Sequence, residues 1–179
     1  MSLAVVYSRA AVGIDAPLVS VETHLANCLP ALSIVGLPET EVKESKDRVR
    51  AALLNNRFDL PSRRITINLA PADLPKEGGR FDLAIALGIL AASQQIPTTR
   101  LEQYEFLGEL ALSGQLRPVR GVLPAAIQAA RSERILVLPA ENAPEAALVS
   151  QAQILPIQHI LDLCAHLNGQ QRLDFYQAT

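Results

Sequence analysis

The hydrophobic pattern changes period along the chain, and each change marks an element. Residues 18–25 alternate, with Val19, Val21 and Leu25 on the side that predicts burial in a half-exposed strand. Residues 3–12, rich in Val and Ala up to Gly13, predict a strand before it, and the link Gly13-Ile14-Asp15-Ala16-Pro17 suits a hairpin between the two. Residues 31–35 (ALSIV) predict a third strand, stopped by Gly36 and Pro38. From Pro38 the period lengthens to that of a helix. Val42, Val49, Ala52 and Leu53 share one face, while Glu39, Lys43, Glu44, Asp47 and Arg48 form an opposite face expected to be solvated. Within 63–69, Ile65, Ile67 and Leu69 alternate again. A helix from about Phe81 to Ser93 then has almost no polar face, so it must be buried on most sides, between a sheet and other helices or against a neighbouring subunit.

Further on, Tyr104 to Leu112 and Gln115 to Val119 predict the arms of a hairpin turning at Ser113-Gly114. A helix over 122–131 places Leu123, Ala126, Ile127 and Ala130 on one side, and residues 134–138 (RILVL) have the continuous apolar run of a central strand. A short helix over 143–150, a strand at Ile154–Leu155 and a helix over 157–167 complete the pattern. Strands first and then alternation with helices favour an α/β domain with a mixed sheet over residues 1–168. The polar stretch 169–179 reads as the start of a linker.

At 179 residues the chain can bury one sizeable core, and with 49% hydrophobic residues, 4% aromatics and no Trp that core must consist of Leu, Ile, Val and Ala. Sixteen basic against eighteen acidic residues leave a formal charge of −2, which lacks the basic excess of a dedicated nucleic-acid module. Cys28 and Cys164 have no metal-ligand spacing and are expected to be free, buried or half-buried thiols. The start lacks a basic region followed by a long apolar run, and no apolar run approaches the roughly 20 residues of a membrane span, which points to the cytoplasm.

Candidate chemistry centres on the loop Pro75-Lys76-Glu77-Gly78-Gly79-Arg80 and on Asp82, where a strand passes into the apolar helix. Such junctions often hold a nucleophile or aim backbone N–H groups at a ligand. This loop contains no Ser, Cys, Thr or His. No Gly-x-x-x-x-Gly-Lys-Ser/Thr string exists to wrap a phosphate, and Glu77 beside the short Gly78-Gly79 pair would repel one, so a structural turn is expected. Asp82 is placed to accept loop N–H groups at the helix start. His159 and His166 lie about 10 Å apart on the last predicted helix and His24 sits on an exposed strand face, so no metal site is expected. The cations Arg57, Arg63, Arg64, Lys76 and Arg80 remain. With Arg63 and Arg64 opening their strand and Lys76 and Arg80 beyond its end, they fall into two patches about 20 Å apart.

Several segments together resemble the ComM/YifB family of magnesium-chelatase-like AAA+ ATPases, in its amino-terminal domain. They are Arg9-Ala10-Ala11-Val12-Gly13, Ile34-Val35-Gly36-Leu37-Pro38-Glu39-Thr40, Asp47-Arg48-Val49-Arg50, residues 65–74 with the loop that follows, and Leu107-Gly108-Glu109-Leu110-Ala111-Leu112. The resemblance runs from residue 1 to about residue 165. It implies a two-layer α/β fold similar to the Lon proteolytic domain, of the βαβ type also found in ribosomal proteins. It also implies an AAA+ module farther along the chain that binds ATP and Mg2+, a homo-oligomeric ring (a hexamer), and a part in DNA processing by branch migration during natural transformation. Arg63, Arg64, Lys76 and Arg80 are then candidate contacts for DNA phosphates or for a partner.

Lon-type catalysis pairs a Ser nucleophile with a desolvated Lys base. Lon-type loops read roughly Pro-Lys-Asp-Gly-Pro-Ser-Ala-Gly, which places Arg80 at the nucleophile. The Lon pattern Gly-Glu-Ile…Gly-Gly-Leu-Lys is met by Gly108-Glu109-Leu110…Arg120-Gly121-Val122-Leu123, which places Leu123 at the base. Neither side chain can do the chemistry at neutral pH. The expectation is a domain without catalysis or cofactor of its own. A small hydrolase or kinase-like enzyme using the Pro75–Arg80 loop, or an accessory to metal insertion, is the alternative.

Overall fold

The computed structural model describes residues 2–177, so Met1 and the last two residues of the 169–179 stretch lie outside it. Nine strands and five helices follow one another along these residues. They are β1 (Ser2–Arg9), β2 (Leu18–Ala26), β3 (Ala31–Val35), α1 (Glu39–Asn55), β4 (Arg64–Ala70), α2 (Asp82–Ala92), β5 (Tyr104–Phe106), β6 (Glu109–Leu110), β7 (Leu116–Arg117), α3 (Val122–Arg131), β8 (Ile135–Pro139), α4 (Ala143–Ala146), β9 (Gln153–Ile157) and α5 (Ile160–Leu167). Seven strands form one sheet in the order β3-β4-β2-β1-β5-β8-β9. β1–β2 and β2–β4 pair antiparallel, and the other four neighbours pair parallel, so the sheet is mixed and mostly parallel.

Alternation drives the left half of this sheet. Register places Ile34 beside Ile67, Ile67 beside Thr23 and Thr23 beside Ala4, a row that crosses four strands on one face. α1 and α2 cover that face, and every residue of α2 is buried. The opposite face of these four strands has no helix on it: Leu3 is 56% exposed and Val5 38%. The right half differs. Leu136 and Leu138 of β8 face a second cluster with Val122, Ala125, Ala126 and Ala129 of α3 and with α4, whereas Val137 faces the main core. The expected two-layer arrangement therefore holds only over β3-β4-β2-β1. Beyond β1 the sheet is covered on both sides, because β8 is apolar at consecutive positions and must bury both faces.

Four local expectations change. The single hairpin over 104–118 divides: Tyr104–Phe106 joins the main sheet beside β1 and β8, and only the two-residue strands β6 and β7 pair across the turn. Gly108, at φ +156°, breaks the first arm between the two uses. The buried face of α3 is Val122, Ala125, Ala126 and Ala129, not the Leu123, Ala126, Ile127 and Ala130 face, and Ile127 is 36% exposed. Small alanines let α3 approach the sheet closely, so size of contact outweighs hydrophobicity of side chain. His159 lies outside α5 as its N-cap, accepting the Leu161 N–H at Nδ1 (3.0 Å). Of the cysteines, Cys164 is buried as expected, which pushes its thiol up to about 12, whereas Cys28 is exposed, not buried or half-buried, because it lies in the turn between β2 and β3.

α2 crosses β2 at Gly88. A Cβ there would overlap Thr23 Oγ1, a buried hydroxyl with no hydrogen-bond partner. Gly88→Ala is therefore expected to destabilise the chain by about 1–3 kcal/mol in urea unfolding, despite the better helix propensity of Ala. Adding Thr23→Ala should restore most of the loss. A single variant as stable as the parent would contradict this close approach.

Candidate functional site

β4 delivers the chain to the loop 71–77, which enters α2 through a tight turn over Gly78–Phe81. The loop is held by its own cation. Lys76 is 3% exposed, and its Nζ donates to the carbonyls of Pro71 (2.6 Å) and Leu74 (3.3 Å). Burial lowers its pKa, and Asp73 pulls partly against that. Lys76 thus closes the loop on itself. Pro75 and Glu77 are exposed on either side of it.

Arg80 is 6% exposed. Its Nε donates to the Arg9 carbonyl at 2.9 Å and its Nη1 to the Arg120 carbonyl at 2.7 Å, while buried Nη2 has no partner. Burial pushes the guanidinium down to about 10, still high enough to stay charged at neutral pH. The Arg80 carbonyl in turn accepts the Gly108 N–H (3.0 Å), and the Gly108 carbonyl accepts the Leu83 N–H (3.1 Å). A Cβ on Gly79 would overlap the Glu109 side chain, which packs directly against this turn. A cavity of about 390 Å³, lined by Glu77, Gly78, Arg80, Glu109, Val119 and Arg120 among others, opens beside this turn.

Asp82 is fully buried. Its carboxylate accepts from Ser45 Oγ (2.8 Å), Arg48 Nε (2.6 Å) and the Leu110 N–H (3.1 Å). It therefore binds α1 and β6, not the N–H groups of its own loop, because the tight turn directs it away from them. Burial pushes its pKa up to about 6, against the opposing pull of Arg48, Ser45 and the Leu110 N–H. The expected solvated face of α1 loses Arg48 to this network. Ser45 and Arg48 were the residues local pattern could not find, since the i,i+4 pairing of Glu44 with Arg48, 3.8 Å in the structure, is what an exposed helix also shows.

The structure thus brings together Lys76, Arg80, Gly78, Gly79, Asp82 and the segment ahead of α3. Leu123 lies half-buried in the first turn of α3, three residues past the carbonyl that Arg80 holds. Arg64 is exposed at the opposite end of β4, with Arg63 half-buried and donating to Ser2 Oγ (3.2 Å). Arg57 is exposed at the end of α1. The cations stay divided in two groups, and Lys76 and Arg80 present no free charge to a polyanion. A second buried ion pair adjoins the site: Arg9 Nε and Nη2 each lie 2.7 Å from the Glu105 carboxylate, which Arg134 also reaches at 3.2 Å. Among the described residues no group of three or more His, Cys, Asp and Glu could hold a metal ion, and no helix is long and apolar enough to cross a membrane.

Residues 21–142 match the family described as subunit ChlI of Mg-chelatase. Over 97% of its length the chain is 58% identical to competence protein ComM of Haemophilus influenzae, of which it covers 34%. It is 51% and 48% identical to the YifB proteins of Salmonella typhimurium and Escherichia coli, with the same shares of each chain covered. It spans about a third of the length of these curated relatives.

The Asp82 carboxyl gives the site a pH signature. Folded, it keeps its proton up to about pH 6; an ordinary carboxyl of this type releases it near 3.8. Between these values the folded state binds more protons, so this group's contribution to stability is greatest at the acid end and declines as pH rises towards 6. The stability of the parent minus that of Asp82→Asn, from urea unfolding, should fall over this window and level off above it. A difference that climbs with pH instead would mean that Arg48 outweighs burial.

Proposed function

The chain belongs to the magnesium-chelatase-related family of ComM and YifB, and on that basis we propose that it is a non-catalytic domain of a ring-forming AAA+ ATPase that processes DNA. The observation carrying this reading is Arg80. The position that would hold a serine nucleophile in a Lon-type site is taken by a buried, charged guanidinium bonded to two backbone carbonyls. A guanidinium can neither attack a carbonyl nor accept a proton near neutral pH. The position of the base is Leu123, which has no titratable group. Arg80 reaches the carbonyl of Arg120 just ahead of Leu123, so the two replaced positions lie on neighbouring segments. That adjacency supports a Lon-like origin for the fold.

The chain covers about a third of its relatives, so two thirds of such a protein remain for a nucleotide-hydrolysing module. ATP and Mg2+ would bind there, and this domain, residues 1–168 with the 169–179 stretch as the connection, would serve ring assembly or guide the substrate. The name of the Haemophilus relative, a competence protein, supports a part in DNA uptake or processing, and branch migration is the activity proposed for it. With Lys76 and Arg80 committed to backbone carbonyls, any phosphate contact from the four candidate cations falls to Arg63 and Arg64. The setting proposed is the cytoplasm; among the described residues no helix is long and apolar enough to cross a membrane.

The purified chain is expected to show no peptide turnover and no covalent adduct after treatment with a serine-directed acylating probe. A full-length protein lacking residues 1–168 should keep ATP hydrolysis per subunit but lose ring assembly or DNA-coupled activity. An adduct mapped by mass spectrometry to residues 78–82 would contradict the first expectation. A truncated protein that assembles and migrates branches like its parent would contradict the second.

A further inference from the structure

A cavity of about 1060 Å³ lies away from Arg80, between the body and the tail. Its body side carries Arg100, Tyr104 and His166, and its tail side Arg172 and Phe175. The tail is anchored at two points: the Leu173 N–H donates to His166 Nδ1 (3.0 Å) and the Tyr176 N–H to the Ile154 carbonyl (2.8 Å). The cavity is thus a cleft with two built walls.

Its polar groups are unbalanced. Arg100 and Arg172 are both exposed, and among the described residues neither lies within ion-pair distance of a carboxylate; the four ion pairs involve Arg9, Arg48 and Arg134. Both guanidinium groups act on one hydrogen-bonded pair, Tyr104 Oη and His166 Nε2, 3.3 Å apart. Burial raises the Tyr104 phenol while Arg100 holds it back, and burial together with Arg172 lowers the His166 imidazole. A neutral His166 that accepts at Nδ1 carries its proton on Nε2 and donates it to Tyr104 Oη, which frees the phenolic hydrogen for a ligand. Asp174 is the acid in the lining, so two arginines face one carboxylate. Phe175, 43% exposed, adds an open aromatic ring to the tail wall.

We propose that this cleft binds a nucleoside phosphate, with the phosphate between Arg100 and Arg172, the Tyr104 hydroxyl as a further donor, and the base stacked on Phe175. Two guanidinium groups with no ion-pair partner supply the forked donors that phosphate oxygens accept, and an aromatic ring supplies the stacking surface for a base. The volume suits a ligand of nucleotide size. Bound there, the ligand would touch both walls and fasten the tail to the body. The chain has no phosphate-wrapping glycine loop, so this is binding without hydrolysis. The inference is independent of the family reading, since it uses none of the residues around Arg80.

The test titrates the purified chain with AMP, with inorganic phosphate and with an eight-residue oligothymidylate, followed by calorimetry and amide NMR. Saturable AMP binding is expected, with shifts at Tyr104, His166 and residues 172–177. The double variant Arg100→Ala/Arg172→Ala should weaken it at least tenfold with an unchanged far-UV spectrum and urea midpoint. Phe175→Ala should reduce AMP affinity to that of inorganic phosphate. Tighter binding of the oligonucleotide than of AMP, with a steep salt slope, would identify a strand as the source of the ligand; equal or weaker binding would identify a free nucleotide. No saturable binding of any of the three at millimolar concentration would overturn the proposal. So would binding indifferent to both arginines, or inorganic phosphate binding as tightly as AMP.

Discussion

The buried guanidinium of Arg80 is the constraint around which the site is organised. A charge with 6% exposure is costly to desolvate, and this one has no carboxylate against it. It is tolerated because two of its N–H groups end on the carbonyls of Arg9 and Arg120, which lie 71 and 40 residues away in sequence. Through them one side chain joins the end of β1, the start of α2 and the approach to α3. Arg9 is itself fixed by the Glu105 carboxylate, so the tie extends into the centre of the sheet. The orphaned Nη2 marks how far the arrangement is from an energetic optimum: an unmet buried donor costs about 1–3 kcal/mol.

Asp82, two residues on, works as a counterpart. It collects Ser45 and Arg48 from α1 and the Leu110 N–H from β6, so the first turn of α2 is gripped from both sides by buried polar contacts. Between the two ties, the Glu109 side chain packs against Gly79, while Gly78 borders the cavity beside the turn. A strand-to-helix junction of this kind usually presents a reactive group. Here Arg80 and Asp82 face inward and hold the fold, while Glu77 stays exposed.

Much of the fold was legible in periodicity. Ile65, Ile67 and Leu69 alternate and do line one face; β3 occupies 31–35 as its composition predicts; and the absence of polar residues in α2 matches its complete burial. What failed depends on distant partners. Arg48, Lys76 and Arg80 look like surface charges in sequence, because the carbonyls and the carboxylate that satisfy them come from elsewhere in the chain or from a loop folded on itself. Leu123 and Ile127 look like core, but the sheet selects the flatter alanine face of α3. Tyr104–Phe106 looks like a hairpin arm, yet its neighbours β1 and β8 lie nearly 100 residues before it and 30 after it. Arg80 was singled out by motif; its physical role required the hydrogen bonds.

The most direct measurement of this account is hydrogen exchange by mass spectrometry on Arg80→Met, with urea unfolding in parallel. Loss of the tie predicts faster exchange together in three places: the end of β1 and the link after it, the turn over 77–82, and residues 118–123. It also predicts a stability loss of about 2–4 kcal/mol. Faster exchange confined to the turn, or a variant as stable as its parent, would show that Arg80 is a passenger and not the tie that holds these three segments together.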